Sequence, residues 1–118
     1  MSQWVGGCVV VTRSEFYVSE KWKRKRLAIL KRDGYIDQIE KRYGKTKEAT
    51  IVHHIFPLAE YPEYRMSDWN LISVSMGTHN RLHDRETDEL TDMGVELLIR
   101  TARKNNIPLP YRYTVDRG

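Results

Sequence analysis

The residues best equipped for chemistry are four histidines, His53, His54, His79 and His83, all between Val52 and Asp84. His79 and His83 stand four apart, which on a helix puts both side chains on one face, a turn apart. Two imidazoles so placed can hold one metal ion, with bonds of roughly 2.0–2.1 Å if the metal is zinc. The same spacing also describes two ordinary surface histidines. In the doublet His53-His54, strand geometry sends neighbouring side chains to opposite faces, so the two are expected to have separate jobs. The plain alternative is one core histidine and one exposed one. The single cysteine, Cys8, leaves no Cys-x-x-Cys zinc partner and no internal disulfide. It fits a reducing, cytoplasmic setting.

Three zones must position these residues. Trp22, Leu27, Ile29 and Leu30 sit among basic residues in a stretch free of Gly and Pro. With Ser19 as N-cap, Glu20 in the first turn and Gly34 beyond the end, this predicts a basic amphipathic helix over about 19–32. Thr50 to Phe56 is β-branched and aromatic, ends at Pro57, and predicts a strand carrying His53 and His54. A loop from Leu58 to Trp69 leads to a second short strand, Asn70 to Val74. Ser75 or Thr78 then caps a helix carrying His79, Leu82 and His83. Leu90, Met93, Leu97 and Leu98 recur at helical spacing and predict a last helix over about 87–105, broken by Asn105, Asn106 and Pro108. Leu109 to Gly118 reads as a tail.

At 118 residues the chain is expected to form one domain, spanning 1–118. No apolar stretch is long enough to span a bilayer, and Met1 to Ser14 lacks the features of a secretory leader, so no membrane partner is expected. The net charge of +4 is unevenly distributed. Between Lys21 and Lys47, eleven Lys and Arg face three Asp and Glu, leaving the rest of the chain acidic. A concentrated basic surface suits a polyanion, although a solvated helix face has the same composition.

Taken together, Ile51-Val52-His53-His54-Ile55-x-Pro57, then Asp68-Trp69-Asn70-Leu71, then Thr78-His79-Asn80-Arg81-Leu82-His83, resemble the HNH endonuclease motif. Upstream, Phe16-Tyr17-x-Ser19-x-Lys21-Trp22, leading to Lys31-Arg32-Asp33-Gly34-Tyr35, is similar to the lead-in of small phage and bacterial HNH proteins. The likeness covers about Phe16 to Glu86. It implies an α+β fold with a ββα-metal (His-Me) core at about 50–86, a short two-stranded antiparallel hairpin and a helix, flanked by N- and C-terminal helices.

The resemblance also implies roles. His54 is the expected general base that deprotonates an attacking water, and Asn70 pins the loop and helps to orient His54. His53, His79 and His83 are the expected metal ligands, His83 serving either as a ligand or as a phosphate contact. One divalent ion, Mg²⁺, Mn²⁺, Ni²⁺ or Zn²⁺, stabilises the leaving group while the imidazole takes the proton. DNA is the expected partner, met by Lys21, Lys23, Arg24, Lys25, Arg26 and Arg81. Phage terminase subunits are a further expected partner and a bacterial host cytoplasm the expected location.

Many relatives brace the site with a zinc ion on two cysteine pairs; here the aligned positions are Asp37, Glu40, Ser75 and Thr78. No structural zinc is therefore expected. Asp37 and Glu40 are candidates to pair with Lys45 or Lys47, and Ile36, Ile39 and Tyr43 are expected to supply apolar packing. The competing possibilities are a catalytically inactive DNA-binding module with the same fold, against which an intact His54 argues, and a purely structural histidine metal site, which gives no reason for the basic block.

Overall fold

The computed structural model describes residues 3–5, 8–10 and 12–113. The hairpin that carries the doublet lies at its centre. Strand β3 (Ile51–His54) pairs antiparallel with β4 (Leu71–Val74), with His53 opposite Ile72 and His54 opposite Leu71. Both faces of this hairpin are covered, which is why its strands read as near-continuous apolar runs rather than as alternation.

On one face, Val52 and Leu71 pack with Phe16, Trp22, Ile29 and Leu30. These come from α1 (Arg13–Val18) and α2 (Glu20–Arg32). Ser19 separates the two helices by local chemistry. Its extended backbone breaks α1, its hydroxyl donates to the Phe16 carbonyl at 2.7 Å, and the same oxygen accepts the Trp22 N–H at 3.2 Å to cap α2. On the other face, Val74, Ile55 and Phe56 meet Leu82 of α4 (Met76–Leu82) and Val95, Leu97, Leu98 and Ala102 of α5 (Asp92–Asn105). The expected α+β core of two strands and a helix between flanking helices is present.

Several elements differ from expectation. A strand pair, β1 (Gln3–Val5) with β2 (Cys8–Val10), precedes α1 where none was read. A five-residue helix, α3 (Gln38–Arg42), is capped by Asp37, whose Oδ1 accepts the Ile39 and Glu40 N–H groups at 2.9 Å each. The last helix begins at Asp92 rather than near Thr87. Asp84 instead ties a loop over residues 84–90, accepting the Glu86 N–H at 2.8 Å, and His83 bridges Leu90 across that loop's base. Thr91 then caps α5. Gly94 lies so close to α4 that a Cβ there would stand 2.2 Å from the Leu82 carbonyl oxygen. The expected tail is partly structured: Tyr111–Tyr113 forms a 3₁₀ turn that buries Tyr113 in the core, while 114–118 lie outside the described residues.

Candidate functional site

The doublet divides its two side chains between the two sides of the hairpin. His54 faces α1 and α2: Trp22 stacks on it with centroids 4.9 Å apart and planes 24° from parallel, and Phe16 and Tyr17 flank it at 5.9 and 6.1 Å. His53 faces α4 and meets His79 edge-on at 5.4 Å. Both nevertheless border one pocket of about 120 Å³ at the strand end, shared with His79, His83, Arg13 and Tyr17.

The tautomer of His54 follows from its partners. Its Nε2 lies 3.1 Å from the Arg65 carbonyl, which can only accept, so Nε2 carries the hydrogen. Nδ1 therefore presents a lone pair, with the Tyr17 hydroxyl at 3.5 Å as donor. Burial pushes the His54 pKa down to about 4, opposed by the Arg65 carbonyl and helped by the nearby Arg13 charge, so the ring is neutral at pH 7.

Asn70 explains how that carbonyl is delivered. Fully buried at the end of a 3₁₀ turn (Asp68–Asn70), its Oδ1 accepts the Phe56 N–H at 2.6 Å. Its Nδ2 donates to the carbonyls of Phe56 and Tyr64, both at 3.2 Å. Asn70 does not touch His54. It clamps the two ends of the loop 56–70, and Arg65 sits on that loop beside Tyr64.

The metal-ligand candidates are not equivalent. His53 is buried, and its Nε2 is the buried side-chain nitrogen or oxygen left without a hydrogen-bond partner among the described residues. Burial, and then the neighbouring His79, His54 and His83, push its pKa down to about 3. Burial and then His83 and Arg85 lower that of His79. Both rings are thus held neutral, the form that can ligate. His83 is not on the helix as expected. The helix ends at Leu82, and His83 caps it in an extended conformation, its ring 5.9 Å from that of His79 and its Nε2 3.3 Å from Asp88 Oδ1. Among the described residues no three His, Cys, Asp or Glu side chains converge as a ready metal cage. His53 and His79 form a two-imidazole edge, with His83 turned toward Asp88.

The basic block is partly engaged inside the molecule. Lys25 binds Asp68 at 2.6 Å, Arg26 donates to the Thr50 carbonyl at 2.7 Å, and Lys23 lies 3.6 Å from Glu20. Lys25 and Arg26 thus fasten α2 to the hairpin's surroundings. Lys21 and Arg24 are exposed. Arg81, expected to reach DNA, is instead directed at Glu40 of α3 and donates to Thr78 Oγ1 at 3.1 Å.

That contact belongs to a cluster at the positions aligned with the family's zinc cysteines. Asp37 Oδ2 accepts the Ser75 N–H at 2.8 Å, Ser75 Oγ accepts the Thr78 N–H at 3.2 Å, and Arg81 joins Thr78 to Glu40. Burial by itself raises the pKa of Asp37. The hydrogen bonds from Thr78, the Glu40 N–H and Ser75 outweigh it and hold the carboxylate below its usual range. Glu40 does approach Lys45, at 3.9 Å, but Arg81 is its main partner. Ile39 packs as expected, whereas Tyr43 is exposed.

Five further groups shape the site without a local sequence signal for it: Arg13, Tyr17, Trp22, the Arg65 carbonyl and Asp88. Arg13 donates to Asp88 at 2.8 Å across the pocket mouth. The spacing of Phe16, Tyr17 and Trp22 was visible, but nothing local says that their rings close around His54.

Among solved structures, a manganese-containing crystal structure of an HNH endonuclease from the deep-sea thermophilic bacteriophage GVE2 is similar to this chain. The two are 41% identical with a TM-score of 0.55, over 56% of this chain and 72% of the phage protein. No family model matches the chain, and no curated protein does.

Proposed function

The chain belongs to the HNH endonuclease family and is a nuclease, and from that premise we propose that it hydrolyses DNA phosphodiester bonds with a divalent metal ion, His54 acting as general base. The observation that carries this reading is the fixed tautomer of His54. Its Nε2–H is anchored on the Arg65 carbonyl, its Nδ1 is left to accept beside Tyr17, and His54 lines the pocket that His53 and His79 also border.

The residues fit a metal. The unpartnered Nε2 of His53 is a buried nitrogen that would otherwise cost roughly 1–3 kcal/mol of unmet hydrogen bonding. A metal ligand is one natural use for it. His53 and His79 would hold the ion, and His83 joins them if its ring leaves Asp88. Two or three protein ligands leave open positions, as a catalytic rather than a structural site requires. The manganese of the phage relative favours a hard divalent ion of this kind. When bound, the ion supplies Lewis-acid stabilisation of the charge that develops on the scissile phosphate, worth several kcal/mol.

The remaining chemistry belongs to the chain. His54 Nδ1 takes the proton of the attacking water, a contribution of roughly 10²–10⁴ in rate. Arg65 and Trp22 keep the imidazole from rotating as it charges. Lys21 and Arg24, exposed cations of α2, contact phosphate.

Incubating supercoiled plasmid with the protein and Mg²⁺, Mn²⁺, Ni²⁺ or Zn²⁺ tests this. The reading expects nicked or linear DNA with at least one ion and none with EDTA. DNA binding without cleavage under every ion would instead identify an inactive DNA-binding module.

A further inference from the structure

Resting on the reading of His54 as the base, we infer that Tyr17 is a second anchor for the attacking water. The Tyr17 hydroxyl and His54 Nδ1 are 3.5 Å apart, at the long limit for a hydrogen bond. Two polar atoms so spaced leave room for a third: an oxygen about 2.8 Å from each sits at the apex of the triangle they form. Both residues border the same pocket as His53 and His79.

A water inserted into that contact donates one hydrogen to Nδ1 and accepts the phenol hydrogen, which leaves its other lone pair free to point at phosphorus. One hydrogen bond alone leaves that water free to swing about Nδ1. Two fix its direction, and misplacement of a reacting group by about 1 Å can cost on the order of a hundredfold in rate. In the step itself the water oxygen bonds to phosphorus, its proton passes to Nδ1, and the bond to the leaving oxygen breaks. The leaving oxygen takes its proton from solvent. Tyr17 is unchanged throughout.

The phenol is held for this task from both sides. Its ring packs edge-to-face on Phe16 at 5.5 Å and on Trp22 at 5.8 Å. Arg13, anchored on Asp88 at 2.8 Å, lines the same pocket. The hydroxyl is therefore separable from the packing: Tyr17→Phe keeps the ring and removes only the oxygen.

The experiment compares parent and Tyr17→Phe in metal-supported plasmid cleavage across DNA concentrations, with a thermal melt and a calorimetric Ni²⁺ titration of each. A fall in kcat of about ten- to a hundredfold, at unchanged KM, melting temperature and Ni²⁺ affinity, is the expected result. A kcat within twofold of the parent overturns the inference, as does a change in KM alone. A loss matched by weaker Ni²⁺ binding or a lower melting temperature overturns it too, because Tyr17 is then structural. A parent that cuts DNA beside an unaffected variant defeats this inference alone. A parent that never cuts defeats the underlying reading as well.

Discussion

Asp37 and Ser75, 38 positions apart in the chain, are joined by a buried 2.8 Å hydrogen bond from the Ser75 N–H to the Asp37 carboxylate. That bond ties the start of α3 to the start of α4 where many relatives use a zinc ion, and it gives the first prediction. Asp37→Ala strips partners from the N–H groups of Ile39, Glu40 and Ser75, and should lower stability by about 3 kcal/mol or more in urea denaturation. Adding EDTA should leave the parent folded at room temperature, because these positions hold one another by hydrogen bonds and need no metal to fold. Unfolding by chelator would show that a structural metal exists.

Asn70 should be nearly irreplaceable for the fold although it touches no reacting group. Asn70→Ala orphans the Phe56 N–H and the carbonyls of Phe56 and Tyr64, at roughly 1–3 kcal/mol for each buried group left unsatisfied. Asn70→Asp keeps the acceptor for Phe56 but points a buried carboxylate at two carbonyls, so its denaturation midpoint at pH 7 should fall at least as far as the alanine variant's.

Trp22 carries both packing and orientation. Trp22→Ala should cost about 3–5 kcal/mol as a core truncation, and should also release one face of His54. Trp22→Phe retains an aromatic face at lower volume. It should recover cleavage more completely than Trp22→Leu of comparable stability, which plasmid assays on the two would show.

Acid should destabilise the protein before any carboxylate titrates. His53 and His54 are held at about 3 and about 4 in the folded state, both by burial, against about 6.5 unfolded. The unfolded chain therefore binds more protons below pH 6.5, and stability falls as pH drops from there toward 4. Asp37, also depressed, adds its loss lower down, below the unfolded carboxylate value. Melting temperatures from pH 7.5 to 4.5 without metal should decline in the parent and decline less steeply in His54→Gln.

How much of this was legible in the sequence depended on whether the signal was local. The doublet, the existence of its strand, the Ser19 cap and the helix carrying His79 all rest on neighbouring residues, and the two histidines do face opposite sides of β3. That strand nevertheless stops at His54, short of Pro57. The late start of α5 was not legible: Leu90 fits the helical period, but Asp84 captures the preceding backbone and Thr91 supplies the cap. Nor was the fate of Arg81, Lys25 and Arg26, because their partners Glu40, Asp68 and the Thr50 carbonyl lie 24 to 43 residues away. The carbonyl that sets the His54 tautomer left no mark at all, since a backbone oxygen is the same at every residue.

The division of labour between His54 and its neighbours is tested most directly by calorimetric Mn²⁺ titration of His53→Ala, His54→Ala and His79→Ala, paired with plasmid cleavage by each. His54→Ala should bind Mn²⁺ as the parent does while cleavage falls by about 10²-fold or more. His53→Ala and His79→Ala should lose affinity and activity together. A His54→Ala protein that no longer binds the ion, beside a His79→Ala protein that does, would contradict the assignment.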